Sequence, residues 1–187
     1  MPETARRLTT LLDRLIAEER ITPSSRAVFV DDGSRDGTWA LVEELVRNNP
    51  RMGGIKLSRN RGHQNALLAG LFTAEGDVLV SVDADLQDDI GVIPDMLAQY
   101  NHGTDVVYGV RKDRSSDSLF KRSTAQGFYR LMRALGAESV HNHADFRLMS
   151  RRAIEALKQF REVNLFLRGM VPLVGFKSAI VQYDRSE

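Results

Sequence analysis

Two aspartates, Asp83 and Asp85, have the spacing and the setting of a metal-binding pair. They follow the apolar run 78–82, which has the length and composition of a buried strand. If the chain stays extended beyond this strand, a spacing of two residues directs both carboxylates to the same side. Two adjacent carboxylates repel each other unless a cation or a proton compensates them. We therefore expect a divalent cation here, and Mg²⁺ or Mn²⁺ suits hard oxygen ligands best.

A second acidic segment, Asp31-Asp32-Gly33-Ser34, follows the apolar run 27–30. By itself this segment is explained equally well as a turn that leads into and caps the next helix. Two acidic segments at the ends of two strands of one short domain are harder to explain by capping. A metal held at such a place would stabilise the charge that develops on a nucleoside diphosphate when a sugar–phosphate bond breaks.

The elements that must position these aspartates alternate between strand and helix. Strands separated by helical stretches favour right-handed crossovers and a mostly parallel sheet covered on both faces. The predicted fold class is therefore α/β, and ligands of such sheets bind outside the carboxyl ends of the strands. The strands are predicted at 27–30, 55–57, 78–82, 105–108, 146–149 and 179–181, and the helices at 1–20, from about 38, and at 62–74, 90–100, 118–135 and 151–159.

The composition describes one folded domain over residues 1–187. Hydrophobic residues make up 42% and charged residues 27%, as is usual for globular proteins. The net charge of +1 gives no overall electrostatic argument for nucleic acid as a partner. The chain has no cysteine, which excludes disulfides and thiolate metal sites and is compatible with the cytoplasm. No apolar run approaches the roughly 20 residues that span a bilayer.

Five segments follow one another in an order and spacing that identify a family. They are 28–38 (V-F-V-D-D-G-S-R-D-G-T), 60–63 (N-R-G-H), 81–88 (S-V-D-A-D-L-Q-D), 105–111 (D-V-V-Y-G-V-R) and 144–149 (A-D-F-R-L-M). Together they resemble the family 2 glycosyltransferases of the GT-A fold. More narrowly, they resemble the polyprenyl-phosphate glycosyltransferases, the group that contains dolichol-phosphate mannose synthase and the bactoprenol glucosyltransferases. The likeness covers nearly the whole chain.

The resemblance implies a three-layer GT-A sandwich and an inverting, metal-assisted reaction. The sugar would pass from a nucleotide-sugar donor, a UDP- or GDP-sugar, to a polyprenyl-phosphate acceptor at the cytoplasmic face of a membrane. The family pattern also has a strand ahead of the position of Met1, and a phosphate-binding loop and often membrane helices beyond Arg185. We therefore expect a chain that is cut at both ends and lacks the family's first strand. Unpaired sheet edges would then favour homo-oligomers or aggregation.

The resemblance also implies a role for each matching residue. Asp145 matches the acidic residue beside the acceptor that the family is proposed to use as catalytic base. Asp83 and Asp85 match the ligands of Mg²⁺ or Mn²⁺, and Gln87 and Asp88 would flank that metal site. Arg147 would turn its planar guanidinium to the acceptor phosphate. The residues expected to bind the nucleotide-sugar are Asp31 and Asp32, at its base and ribose, with Ser34, Asn60, Gly62, Asp83, Gln87, Arg111 and Arg147.

The acceptor chemistry modifies the role of Asp145. A phosphomonoester has a second pKa of about 6, so a lipid phosphate is already a competent anion at neutral pH. Such an acceptor hardly needs a general base. We expect Asp145 to position the acceptor or the metal as much as to remove a proton.

Two further segments allow two interpretations each. The segment 118–135 interleaves basic and aromatic residues, and is either a helix packed on the sheet or a peripheral contact with anionic lipid headgroups. His141 and His143 form an H-x-H pair, but without a cysteine or a third ligand a polar loop is favoured over zinc. His63 adjoins the loop that the family uses near the nucleotide, and is equally well explained as a surface histidine.

Other functions remain open. A haloacid-dehalogenase-like phosphatase also uses two aspartates at a strand end, but its motif has Thr or Val where this chain has Gln87. A phosphorelay receiver domain would be shorter. The main alternative is a truncated, catalytically inactive fragment that binds nucleotide weakly or not at all.

Overall fold

A computed structural model describes residues 1–85, 87–112, 143–160 and 167–184 of the chain. The helix predicted at 118–135 and His141 lie outside these residues. The prediction of a polar loop is wrong for His143, which is the first residue of a strand. Every other predicted strand and helix is confirmed, and one helix is added after residue 166. The elements are α1 (Pro2–Ala17), β1 (Ala27–Asp31), α2 (Thr38–Asn48), β2 (Met52–Lys56), α3 (His63–Thr73), β3 (Val78–Ser81), a 3₁₀ turn (Ile90–Val92), α4 (Ile93–Asn101), β4 (Val106–Arg111), β5 (His143–Ser150), α5 (Arg151–Leu157), α6 (Leu167–Leu173) and β6 (Ser178–Tyr183).

The described strands form two sheets. β1 and β2 pair in parallel, and the second sheet has the order β3-β5-β4-β6. In this second sheet β5 is antiparallel to both of its neighbours, while β4 and β6 are parallel. The α/β class and the predominance of one strand direction are confirmed. The antiparallel orientation of β5 was not predicted, because the apolar run 146–149 does not indicate in which direction a strand runs.

Helix α1 packs against both sheets. Near its start, Ala5 belongs to a small core with Phe29 of β1. Two turns later, Leu11 and Leu15 belong to the larger core that contains Phe146 of β5. The apolar residues that the sequence spaces at helical intervals therefore form one stripe, which joins the two sheets on one side.

Helix α3 also packs against both sheets. Leu68 and Leu71 lie in a third core with Tyr108 of β4. Gly70 faces β1, since a Cβ built at this glycine would lie 3.0 Å from Cγ2 of Val30. The face of α3 that carries Gly70 thus allows β1 to pack closely. The leucines of α3 cover the four-stranded sheet.

One edge of β1 and one edge of β3 carry no partner strand among the described residues. Arg151 donates its backbone N–H to the carbonyl oxygen of Asp77. The backbone N–H and C=O groups of successive residues in a strand point alternately to its two sides, so those of Val78 and Val80 point away from β5. The side chains of Val78 and Val80 are only half-buried, although strands covered by helices are usually buried throughout. The expectation of exposed sheet edges agrees with this arrangement. None of the described helices has the length and apolarity needed to cross a bilayer.

Candidate functional site

The two acidic segments meet at the amino end of α3. The carboxylate of Asp32 accepts hydrogen bonds from the backbone N–H groups of Arg61, at 2.7 Å, and Gly62, at 2.8 Å. One residue later, Nε2 of His63 lies 3.9 Å from Oδ1 of Asp83. The carboxyl ends of β1 and β3 therefore lie at one edge of the molecule, as the sequence predicts, and the loop before α3 holds them together.

The turn after β1 is built tightly. Asp31 is buried, and its Oδ1 accepts the backbone N–H of Ser34 at 3.2 Å. Its Oδ2 has no hydrogen-bond partner among the described residues. Gly33 has φ of +67°, and a Cβ there would lie 2.4 Å from the backbone carbon of Arg59. Only glycine fits this turn, which brings an unpaired buried carboxylate oxygen to the strand end.

Asp83 and Asp85, the two residues that the sequence predicts to bind a metal and that are called the metal pair below, lie in a region of concentrated negative charge. Burial raises the pKa of Asp83, and the carboxylates of Asp88, Asp85 and Asp145 raise it further, while only His63 acts in the opposite direction. The Asp83 side chain is still 41% exposed. A raised pKa means that the anionic form is costly here, so the site is electrostatically suited to a cation.

The donor set of the metal pair fits Mg²⁺ or Mn²⁺ only in part. Asp85 is exposed, and its Oδ1 accepts the backbone N–H of Gln87 at 3.1 Å. Within the described ranges, no group of three acidic or histidine side chains could hold a metal by itself. Two carboxylates would leave most of the coordination shell to water or to ligand oxygens, which is how Mg²⁺ usually binds beside phosphates.

Asp145 is the centre of a cluster of donors on the other side of His63. It is buried, and its Oδ1 accepts from Nη2 of Arg147 at 2.6 Å. Its Oδ2 lies 3.0 Å from Nε2 of His63 and 3.4 Å from Nε2 of Gln64. Two nitrogens of Arg168 approach the same carboxylate at 3.5 Å. Residues from β5, α3 and α6 therefore converge on one carboxylate.

These donors make Asp145 a weak base. Burial by itself raises its pKa, but the charges of Arg147 and Arg168 and the hydrogen bond of His63 outweigh burial, and the pKa of Asp145 falls below its usual range. The carboxylate is therefore ionised at neutral pH and accepts a proton reluctantly. Its geometry is suited to holding cationic side chains in place.

Arg147 does not have the orientation that the sequence predicts. It is expected to face a phosphate, whereas its side chain is only 1% exposed and pairs with Asp145. Alternate residues of a strand face the same side, so the side chain of Arg147 lies next to that of Asp145 on the same face of β5. Burial lowers the pKa of Arg147, and its Nε and Nη1 have no partner among the described residues.

The other predicted residues lie around the edge of the site. Arg111 is at the end of β4, where its Nη2 donates to Asp88 at 2.8 Å and not into open solvent. Asn60 accepts the backbone N–H of Gly62 at 3.2 Å. The side chains of Ser34 and Gln87 are exposed.

Three residues of the site, His63, Gln64 and Arg168, are absent from the predicted set, and His63 was equally well explained as a surface histidine. Gln64 accepts the backbone N–H of Leu167 at 3.3 Å and so connects α3 to the start of α6. The signal for Gln64 was its position beside the N-R-G-H segment. Arg168 lies in a segment without a recognised motif, 23 residues after Asp145, so only the fold brings it to the site.

Comparisons with known proteins place the chain among the glycosyltransferases. The family model described as "Glycosyl transferase family 2" matches residues 3–158. The chain is 54% identical over 187 residues to "Uncharacterized glycosyltransferase YkoT" of Bacillus subtilis, covering 99% of this chain and 56% of that protein. It is 42% identical over 161 residues to "Prophage bactoprenol glucosyl transferase homolog" of Escherichia coli, covering 86% of this chain and 53% of that protein. The chain thus spans about half the length of these curated relatives.

Solved structures share the fold at low sequence identity. The mannosyltransferase PcManGT from Pyrobaculum calidifontis, solved with GDP-Man and Mn²⁺, has a TM-score of 0.57 and 20% identity, covering 98% of this chain and 53% of that chain. Glucosyl-3-phosphoglycerate synthase from Mycobacterium tuberculosis, solved with phosphoglyceric acid, has a TM-score of 0.58 and 15% identity, covering 91% of this chain and 65% of that chain. At such identities the likeness concerns the fold.

The tight turn after β1 generates a prediction about stability. Replacing Gly33 by alanine forces a Cβ into the backbone of Arg59 at a left-handed φ, so we expect Gly33→Ala to lower the free energy of unfolding by about 1–3 kcal/mol. Gly37→Ala is the matched control, because Gly37 has φ of −72° and nothing lies within 4 Å of a Cβ built there. Urea denaturation measures both. Equal stability of the two variants would contradict this description of the turn.

Proposed function

Because the chain belongs to glycosyl transferase family 2 and has the GT-A fold, we propose that it carries out an inverting transfer from a UDP- or GDP-sugar to polyprenyl phosphate. The observation that carries the proposal is the metal pair at a strand end, next to a fixed carboxylate, Asp145, that is surrounded by cationic side chains. The relative from E. coli, named as a bactoprenol glucosyl transferase homolog, supports the lipid acceptor. The reaction would then take place at the cytoplasmic face of a membrane, with segment 118–135 as the candidate contact.

The donor nucleotide is assigned to the turn after β1. Asp31 has one buried oxygen without a partner, which could accept an N–H group of the base. Asp32 is held in place by two backbone donors, and a carboxylate has further lone pairs that could accept ribose hydroxyls. Ser34, Asn60 and Gly62 border the same turn and would line the pocket.

The diphosphate is assigned to the metal pair. Mg²⁺ or Mn²⁺ bound there would supply charge stabilisation for the nucleoside diphosphate that leaves. Asp83 and Asp85 would hold the cation from the protein side, with Gln87 at its edge. The negative charge around Asp83 supports this assignment, because neither Asp83 nor Asp85 pairs with an arginine or a lysine among the described residues.

The acceptor phosphate is assigned to Arg168 in preference to Arg147. The Arg168 side chain is 47% exposed and contacts Asp145 only at 3.5 Å, so it has donors to spare. Arg147 is buried and would act indirectly, because its ion pair keeps Asp145 ionised and oriented. Asp145 would then position Arg168 and His63 and would not remove a proton, since the acceptor phosphate is already an anion.

One observation favours a second candidate. Val78 and Val80 are half-buried, and β1 and β3 each have one edge without a partner strand among the described residues, which is typical of an incomplete sheet. These residues alone would then bind nucleotide without turnover. The match to the glycosyltransferase family gives no support to the phosphatase alternative.

Calorimetry tests the donor assignment. We expect one of UDP, GDP and dTDP to bind this chain with an affinity that rises when Mn²⁺ is added. Asp85→Asn should weaken the Mn²⁺-dependent binding at least about 10-fold, because one of two protein ligands loses its charge. Asp95→Asn, which changes an exposed carboxylate of α4, should bind like the wild type. Binding that is indifferent to Mn²⁺ would contradict the metal role, and no binding of any nucleotide would favour the inactive fragment.

Kinetics of the complete protein test the role of Asp145. We expect Asp145→Asn to lower turnover by about 100-fold, since the neutral amide no longer holds Arg168 and His63. Arg168→Gln should raise the KM for the acceptor more than it lowers kcat. Activity of Asp145→Asn within a few-fold of the wild type would refute the assignment.

The sheet edges that lack a partner strand among the described residues support self-association of this chain. No described strand pairs with the outward backbone groups of Val78 and Val80, so another copy could pair with them. Sedimentation velocity at rising protein concentration should therefore show species larger than the monomer. A single monomeric species throughout would contradict this expectation.

A further inference from the structure

Asp88 is a buried carboxylate that the proposed chemistry does not use. Its side chain is 0% exposed, although it follows the exposed Asp85 by only three residues. Its Oδ1 accepts from Nη2 of Arg111 at 2.8 Å and from the hydroxyl of Tyr183 at 2.5 Å. Its Oδ2 has no partner among the described residues. A carboxylate is costly to bury unless it is paired, so this arrangement needs a structural reason.

The two donors, Arg111 and Tyr183, are held in place by strand pairing as well as by their bonds to Asp88. Arg111 is the last residue of β4, Tyr183 is the last residue of β6, and the register of these parallel strands places the two residues opposite each other. Nε of Arg111 also donates to the hydroxyl oxygen of Tyr183 at 3.3 Å. The paired strand ends therefore present a rigid pair of donors, and Asp88 brings the loop after β3 to them.

Both donors keep their protons at neutral pH. The hydrogen bond to Asp88 raises the pKa of Arg111 above its usual value. Burial, followed by the hydrogen bond to Asp88, raises the pKa of Tyr183 to about 12. The carboxylate is thus held by one charged and one neutral donor throughout the physiological range.

From this geometry we propose that Asp88, Arg111 and Tyr183, the Asp88 clamp, position the metal pair. This proposal rests on the proposed function of Asp83 and Asp85. The metal pair lies between two anchors, β3 on one side and the clamp on the other. Because Asp85 itself is exposed, the clamp sets how closely the second carboxylate approaches the first. Asp88 is a positioning residue and does not touch the cation.

The clamp also connects the loop of the metal pair and the strand of Asp145 to the same sheet. The ring of Tyr183 packs edge-on against Phe146, with ring centres 5.4 Å apart and planes at 81°. Phe146 is the neighbour of Asp145 in β5. The loop of the metal pair and the strand of Asp145 are therefore held by adjacent parts of one tyrosine, which favours a constant separation between them.

Titration with Mn²⁺ in the presence of the bound nucleoside diphosphate, followed by electron paramagnetic resonance, tests the clamp. We expect Asp88→Asn to weaken Mn²⁺ binding by about 10- to 100-fold, the effect usual for residues that orient metal ligands. The spectrum of the remaining bound Mn²⁺ should broaden, because the two carboxylates are less well fixed. Tyr183→Phe, which keeps the ring on Phe146 and removes only the hydroxyl, should shift the affinity in the same direction by less.

Asp105→Asn is the matched control. Asp105 is also buried and paired, with Arg152 and Ser150, but it precedes β4 at the end opposite Arg111. We expect this variant to lose stability in urea without losing Mn²⁺ affinity. An equal loss of Mn²⁺ affinity in Asp105→Asn would reduce the effect of Asp88 to general destabilisation and overturn the proposal.

The remaining outcomes separate the clamp from the function on which it rests. If the wild type binds Mn²⁺ and both Asp88→Asn and Tyr183→Phe bind it equally well, the clamp is refuted and the metal pair stands. If the wild type binds no Mn²⁺ with any nucleotide, the proposed function of the metal pair fails, and the clamp fails with it. If Asp88→Asn does not fold, Tyr183→Phe decides by itself.

Discussion

Unequal compensation of negative charge organises this molecule. Several carboxylates lie together at the carboxyl ends of the strands, and each has a different set of counter-charges. Asp145 is surrounded by Arg147, Arg168 and a histidine, and its pKa is lowered as a result. Asp88 is held by Arg111. No arginine or lysine in the described part of the chain pairs with the metal pair, and Asp83 has a raised pKa. Apart from His63, the described residues offer Asp83 and Asp85 no cationic partner, so a cation would be stabilised most strongly at this pair.

This distribution depends on helices that hold two sheets together. α1 and α3 each contact β1 as well as the four-stranded sheet, and the loop before α3 carries both the backbone donors for Asp32 and the side chain of His63. His63 in turn lies between Asp83 and Asp145. The turn after β1, the pair Asp83 and Asp85, and Asp145 are therefore connected through one helix terminus. A shift of α3 would change all three distances at once.

Sequence patterns predicted the features that are local. Apolar runs ending in aspartate indicated which strands carry the site, and the spacing of Asp83 and Asp85 indicated a pair. The orientation of Arg147 was not accessible in this way, since the motif A-D-F-R names the residues but not the side of the sheet that is buried. Arg168 and the partners of Asp88 were not accessible either. They are brought in by α6, β4 and β6, elements that are far away in sequence, and no local pattern reports such contacts.

The low pKa of Asp145 bears on how such a site can work. A buried carboxylate that must act as a base is usually left in an apolar setting, which raises its pKa towards neutrality. Here the fold does the opposite and surrounds it with donors, one of them the fully buried Arg147. Burying the guanidinium of Arg147 costs free energy, and its pairing with Asp145 offsets part of this cost. The same pairing keeps the carboxylate charged and in one orientation. The surroundings of Asp145 are therefore better suited to holding charged groups in fixed positions than to accepting a proton.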